Sequence, residues 1–280
     1  MLNTAVVIAH YDPAGRLAAH LQRFVAHLGS LTRHVVFVST GLSDAGAARL
    51  APHARVVVRD NYGYDFWSYK VGIEALGDLA AFDRLWVLNS SFIIFDPALL
   101  CDRLLQWQGE ADLLGLTQSA DCGPHLQSYC IAFRTRRVLE SRAFARWWGQ
   151  MTPISDRLQV ILQYEIGMSQ HFARAGFSSG AAFVPTTAER LTAVFRGIET
   201  RNLKVAAIAG EGPVRLQLRD AELLNPTHYA WEGLLERCGI LKLELPRDNP
   251  HHLELRTLRA RLATKPSYLE LYEDALTPAR

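Results

Sequence analysis

Four short apolar runs recur in the first third of the chain, and each ends in small polar side chains ahead of a stretch with helical spacing. They are Thr4-Ala5-Val6-Val7-Ile8-Ala9, His34-Val35-Val36-Phe37-Val38, Arg55-Val56-Val57-Val58 and Arg84-Leu85-Trp86-Val87-Leu88. Runs without polar alternation are what strands buried on both faces show. Between and after them Leu17, Leu21, Phe24, Val25 and Leu28 keep a 3.6-residue period, and shorter helical patterns cover 45–50, 66–76 and 97–107. Strands alternating with helices at this length require crossover connections. The expected fold class is therefore α/β, with a mostly parallel, doubly wound sheet. All four strand tips then lie along one edge: His10-Tyr11-Asp12, Ser39-Thr40-Gly41, the turn after Val58, and Asn89-Ser90-Ser91. Open α/β sheets bind their ligands outside the carboxyl ends of the strands.

The third tip, Arg59-Asp60-Asn61-Tyr62-Gly63-Tyr64-Asp65-Phe66-Trp67, carries the densest set of binding groups. Asn61 and Gly63 tolerate positive φ, so the chain can bend sharply there. Asp60 and Asp65 bracket the bend with carboxylates, and Tyr62, Tyr64 and Trp67 offer flat faces for a base or sugar ring. The structural alternative is a helix entry with Asp65 as N-cap.

Composition narrows the function classes. The 280 residues with 49% hydrophobic content can bury one large core, or a domain of about 200 residues with an appendage. A net charge of +2 with 21% charged residues argues against nucleic-acid binding by bulk electrostatics. Cys101, Cys122, Cys130 and Cys238 show neither C-x-x-C pairing nor metal-ligand spacing, so reduced thiols are expected. Met1-Leu2-Asn3-Thr4 runs into the first strand without a basic leader, and no apolar run approaches the ~18–20 residues of a membrane span. The expectation is a cytoplasmic protein, soluble or peripheral at most.

Beyond Leu116 the pattern changes. The segment 125–133 is strand-like and puts His125, Gln127 and Tyr129 on one face, as a wet cleft or as an exposed sheet face. Residues 155–176 suggest a helix with Gly176 at its C-cap. Its apolar stripe is Leu158, Ile161, Leu162, Met168 and Phe172, and Glu165 falls at the stripe's centre. A carboxylate so placed either faces a cleft, where partial desolvation suits a general base, or pairs with Arg157 or Arg174. Residues 223–280 form an expected helical extension to a domain spanning 1–222. Within it Arg256, Arg259 and Arg261 lie among leucines, a pattern shared by lipid-contacting and plain solvated helices.

Taken in order, Val6-Val7-Ile8-Ala9-His10-Tyr11-Asp12, Asn61-Tyr62-Gly63-Tyr64-Asp65-Phe66, Leu88-Asn89-Ser90-Ser91, His125-Leu126-Gln127-Ser128-Tyr129 and Ile240-Leu241-Lys242-Leu243-Glu244-Leu245-Pro246-Arg247-Asp248-Asn249-Pro250 resemble the rhamnan synthesis protein F family. The resemblance covers most of the chain. It implies a GT-A-like nucleotide-binding sandwich and a bacterial glycosyltransferase building rhamnose-containing or related surface polysaccharide, such as O-antigen or capsule. The implied donor is a dTDP-, GDP- or UDP-sugar, and the acceptor a glycan or lipid-linked glycan. The implied donor site holds His10, Tyr11, Asp12, Asn61, Gly63, Asp65, Asn89, Ser90 and Ser91. His125, Gln127, Tyr129, Lys242 and Arg247 are implied sugar or acceptor contacts, and Lys242 and Arg247 are also candidates for steadying the leaving group. Glu165 resembles the acidic residue that inverting enzymes of this fold use as base.

One position departs from the family pattern. Ser90 stands where the family commonly shows an aspartate, and a hydroxyl is a poor ligand for Mg²⁺ or Mn²⁺. Metal use is thereby left open between Asp65 as a replacement ligand and cationic groups doing the same work. An alternative from another class is a non-catalytic partner in a polysaccharide assembly complex that kept the nucleotide-sugar fold. The absence of G-x-G-x-x-G and of a P-loop disfavours dinucleotide and P-loop enzymes.

Overall fold

A computed structural model of the chain describes residues 2–120, 122–200 and 218–277. The strands are β1 (Thr4–His10), β2 (Val35–Ser39), β3 (Arg55–Val58), β4 (Arg84–Asn89), β5 (Phe92–Ile94), β6 (Leu113–Gly115), β7 (Gln118–Ser119), β8 (His125–Leu126), β9 (Cys130–Phe133), β10 (Ser179–Ala181) and β11 (Ile240–Lys242). Seven of them make one sheet in the order β10-β6-β9-β4-β1-β2-β3. The pairs β1/β2, β1/β4, β2/β3 and β10/β6 are parallel, and β9 runs antiparallel between β4 and β6. The expected α/β fold with a mostly parallel sheet is what forms.

The period of two decides which side of the sheet each side chain serves. On β1, Val6 and Ile8 enter one core with Leu21, Phe24, Val25 and Leu28 of the helix Ala19–Leu31. Ala5, Val7 and Ala9 enter the opposite core with Phe66, Tyr69 and Ile73 of the helix Tyr64–Leu76. That second helix lies close on the sheet because residue 72 is glycine, where a Cβ would come within 2.3 Å of a Val7 methyl. Phe133 of β9 extends the same core into an aromatic cluster with Phe144, Trp148 and Phe172.

The C-terminal part joins through a separate two-stranded sheet, in which β11 pairs antiparallel with β5, just beyond the β4 tip, and sets Lys242 opposite Phe92. Around that pairing Ile93, Phe95, Tyr229, Trp231, Leu241, Leu245, Leu258 and Leu271 build a third core. Asp274 reinforces the join, its carboxylate accepting from Ala19 N–H at 2.7 Å, at the open end of the first helix. Arg256, Arg259 and Arg261 pair with Glu254, Glu273 and Glu236, so this helix presents balanced charge where the sequence pattern suggested a basic face.

Two segments depart from their expected form. The segment 125–133 breaks into β8 and β9 with Gln127–Tyr129 between, and His125, Gln127 and Tyr129 are all buried. Thr117 explains why: its hydroxyl donates to Gln127 Oε1 at 2.8 Å and bonds Tyr129 Oη at 2.8 Å, turning these groups inward. The segment 155–176 is an α-turn Arg157–Val160, a π-helix Ile161–Ile166 and an α-helix Gly167–Arg174, with Gly176 just past its end at φ 80°. A π-turn takes one more residue than an α-turn, which shifts the wheel by roughly 100°. Leu158 and Leu162 therefore stand 59% and 42% exposed, while Val160, Ile166, Met168 and Phe172 are buried. Neither Arg157 nor Arg174 pairs with Glu165. Arg157 approaches Glu244 at 3.6 Å, and Arg174 donates to the Gln170 carbonyl.

Candidate functional site

The chain lays down β1, β2 and β3 outward in one direction and then returns to place β4 on the other flank of β1. The strand order thus reverses between β1 and β4, whose carboxyl ends leave a crevice between their diverging connections. A cleft of about 640 Å³ opens there, lined among others by His10, Tyr11, Asn61, Gly63, Asp65, Ser90 and Ser91. Ser90 N–H donates to the Ala9 carbonyl and Tyr11 N–H to Ser90 Oγ, which joins the two tips. His10 lies beneath, 2.9 Å from Ser39 Oγ, and burial lowers its pKa to about 4, so it serves the cleft as a neutral ring.

The Asn61 turn is held by a residue that sequence reasoning left without a role. Arg59 donates to the carbonyls of Asp60, Tyr62 and Tyr64 at 2.7, 2.6 and 2.9 Å, and to Ser68 Oγ at 2.7 and 3.1 Å. Its planar fork closes the loop around itself. That anchoring stabilises two successive left-handed residues, Gly63 at φ 73° and Tyr64 at φ 53°, the latter strained for a side chain. The helix N-cap is Gly63, without a side-chain cap; Asp65 lies inside the first turn and is free of the capping role allowed for it above.

Asp65 instead turns toward β4. Asn89 Nδ2 donates to Asp65 Oδ2 at 2.7 Å, and Asn89 Oδ1 accepts from Ser91 N–H at 3.0 Å and Ser91 O–H at 2.5 Å. Ser91 Oγ in turn accepts from the Lys242 ammonium at 2.8 Å. The ammonium also stands 5.2 Å over the Tyr129 ring. Burial raises the Asp65 carboxyl to about 6, further raised by nearby Glu165 and opposed by Lys242 and by the Asn89 hydrogen bond. The Lys242 ammonium is lowered by burial, with Glu165, Glu244 and Asp65 working to keep it charged.

A carboxyl raised on folding contributes stability that is complete below its unfolded value of 3.8 and is lost as pH rises through about 6. Asp65→Asn keeps an acceptor for Asn89 and removes the buried charge. The variant is expected to match the parent near pH 4 and to be more stable by about 1–3 kcal/mol at pH 8. Thermal melts of both proteins across that range check it, and an equal or lower melting temperature for the variant at pH 8 would show that the Lys242 attraction outweighs burial.

The remaining residues named from sequence divide. Lys242 and Arg247 line the cleft; Asn89 is buried behind it as the link between Asp65 and Ser91. Asp12 caps its own turn, its Oδ1 accepting from Ala14 and Arg16 N–H. His125 and Gln127 do not line the cleft: His125 contacts the Gly123 carbonyl, and Gln127 reaches Asn225. Tyr129 touches the site only through its ring beneath Lys242. Glu165 lies on the π-helix with its side chain 19% exposed, Oε1 accepting from Ser128 N–H at 3.1 Å and 3.8 Å from His125 Nε2. It does not line the cleft, though its charge acts on both Asp65 and Lys242. Thr40, Arg157 and Glu244 line the cleft and were not anticipated, because nothing local in the sequence marks a residue that folding carries there.

The donor set at the β4 tip does not fit a hard divalent cation. Mg²⁺ and Mn²⁺ want carboxylate oxygens. Here position 90 is a hydroxyl, both Asn89 polar atoms are committed, and an ammonium already stands at Ser91. No group of three or more His, Cys, Asp or Glu side chains suited to a metal occurs among the described residues.

Comparison with known proteins places the chain. It is 30% identical over 207 residues to the uncharacterized protein y4gN of Sinorhizobium fredii, covering 71% of this chain and 52% of that protein. It is 27% identical over 204 residues to virulence protein VirA of Vibrio anguillarum, covering 69% and 62% respectively. The chain thus spans between half and two thirds of the curated relatives it matches. Among solved structures it is similar to the glycosyltransferase GlyE of Streptococcus pneumoniae, with a TM-score of 0.43, 13% identity, and coverage of 98% of this chain and 60% of that one. A mannosyltransferase of Pyrobaculum calidifontis in complex with GDP-Man and Mn²⁺ gives a TM-score of 0.37, 10% identity, and coverage of 98% and 85%. Likenesses this distant carry no conclusion about the site. The family described as rhamnan synthesis protein F matches residues 35–202, which include the Asn61 turn, the β4 tip and Glu165. The chain belongs to the rhamnan synthesis protein F family.

Proposed function

We propose that the chain is a nucleotide-sugar-dependent glycosyltransferase of GT-A-like fold acting in bacterial surface-polysaccharide assembly. The carrying observation is the cleft at the β1/β4 reversal, where an open α/β sheet binds its ligand, lined by exposed tyrosines and by Lys242 and Arg247. In this reading residues 1–222 supply the donor cleft's strand tips, and 223–280 add its cations. Tyr11, Tyr62 and Tyr64 offer faces for the base or sugar. The diphosphate lies toward Ser90, Ser91 and Lys242, and Asp65 and Asn61 meet donor hydroxyls.

Transfer with inversion needs one base. Glu165, which lies outside the cleft's lining, takes this role from the family resemblance: it accepts the proton of the acceptor hydroxyl while that oxygen bonds the anomeric carbon. The bond from that carbon to the diphosphate breaks, and its electron pair leaves on the diphosphate. Ser128 N–H fixes one carboxylate oxygen of Glu165 and leaves the other to the acceptor. A rhamnosyl donor and a lipid-linked acceptor at the inner face of the cytoplasmic membrane are the finer form of the proposal, taken from the family's role. No helix among the described residues is long and apolar enough to cross a membrane.

Thermal shift against UDP-, GDP- and dTDP-sugars tests the reading. A ligand at about 100 times its Kd stabilises by roughly 2.7 kcal/mol. Stabilisation by one nucleotide class and transfer from it are expected; no shift with any of them rejects the donor site. The unfit metal ligands favour one second reading, a binding partner that kept the fold. Donor binding without turnover against any acceptor glycan would select it.

A further inference from the structure

We infer that the Lys242 ammonium, in place of a divalent metal ion, holds the donor diphosphate at the Asn89–Ser91 strand end. The inference rests on the donor-site reading above and goes beyond it by naming what carries the positive charge.

Main-chain register sets the position. β5 begins directly after Ser91, and β11 pairs with it so that Lys242 lies opposite Phe92. The lysine is thereby fixed one residue from the tip where a metal would stand. Its ammonium has three N–H donors. One goes to Ser91 Oγ, and among the described residues no carboxylate lies within ion-pair distance of it, although Lys242 lines the cleft.

The neighbouring cations are held differently. Arg59 is committed to the turn carbonyls, Arg157 faces Glu244, and Arg247 gives one guanidinium N–H to the Ala275 carbonyl. Lys242 is the cation bonded to the Asn89–Ser91 strand end itself, through Ser91 Oγ, with its other donors open to an anion. The more distant Asp65 and Glu165 charges and the Tyr129 ring favour its charged form without occupying those donors. As the bond to the anomeric carbon breaks, the electron pair stays on the diphosphate oxygen, and Lys242 N–H groups hydrogen-bond that oxygen. No proton has to move at the leaving group; the acceptor oxygen forms the new bond to the anomeric carbon and its proton goes to Glu165.

Isothermal titration of the whole chain with UDP, GDP and dTDP, each in EDTA and in Mn²⁺ or Mg²⁺, tests this. The nucleotide that binds is expected to bind equally well in EDTA and with metal. Lys242→Met is expected to weaken it roughly 10- to 100-fold in both, the range for losing charge-assisted hydrogen bonds. Lys242→Arg is expected to restore most of the affinity, which a merely structural lysine would not require. Binding that appears only with metal overturns the inference and leaves the donor site standing, as does a folded Lys242→Met that binds like the parent. No binding by the parent under any condition overturns the donor-site reading and this inference with it. The metal comparison uses the unaltered chain, so it decides the matter even if Lys242→Met does not fold.

Discussion

Glu165→Gln is expected to lower turnover by a factor of about 10²–10⁴ while nucleotide binding stays within a few-fold of the parent. The amide is the same size and keeps an oxygen to accept from Ser128 N–H, so the 3.1 Å contact that positions the group survives. What is lost is the ability to take a proton. A positioned base contributes in the transition state and little to ground-state binding, so kcat should fall and donor affinity should not. His125, 3.8 Å behind Glu165, gives a second arm. His125→Ala is expected to slow turnover less, because a residue acting through the carboxylate orients it and does not accept the proton itself. Full turnover by Glu165→Gln would remove Glu165 from the mechanism and shift attention to the carboxylates that line the cleft, Asp65, Glu244 and Asp248.

Phe133→Ala is expected to destabilise the fold by about 3–5 kcal/mol, with a fall in melting temperature on the order of 10 °C. Phe133 is fully buried on β9, its ring 5.1 Å from Phe144, 5.5 Å from Phe172 and 6.4 Å from Trp148. Removing it leaves a cavity walled by large rings on two helices, which cannot collapse without moving those helices off the sheet. Phe172 belongs to the helix that continues the π-helix carrying Glu165, so the loss reaches the site through packing. Phe133→Leu should cost less, since most of the volume remains. Chemical denaturation of both variants checks the pair, and a loss below about 1 kcal/mol for the alanine variant would mean the cluster repacks.

The strands were legible because burial on both faces leaves an unbroken apolar run, and the cleft's place followed from where those runs end. Thr4–His10, Val35–Ser39, Arg55–Val58 and Arg84–Asn89 lie where the runs place them, and the Asn61 turn opens into the cleft. The helix carrying Glu165 was legible as helix but not in phase. Its π-turns come from how the backbone packs, and a wheel that assumes 3.6 residues per turn puts Leu158 and Leu162 on the wrong side. His125, Gln127 and Tyr129 misled for a related reason: polarity on one strand face suggests water, yet Thr117 and Asn225, near only after folding, satisfy Gln127 and Tyr129 in the interior.

By itself the sequence determined the α/β order and the strand tips, because each depends on residues adjacent in the chain, and its resemblance to the family marked Ser90 as a departure. Only the tertiary structure decided which charges meet. Asp65, Asn89, Ser91 and Lys242 are joined by hydrogen bonds spanning up to 151 positions of sequence. The pairing of β11 with β5 that brings Lys242 to the tip is a main-chain contact, and main-chain hydrogen bonds leave no mark on residue type.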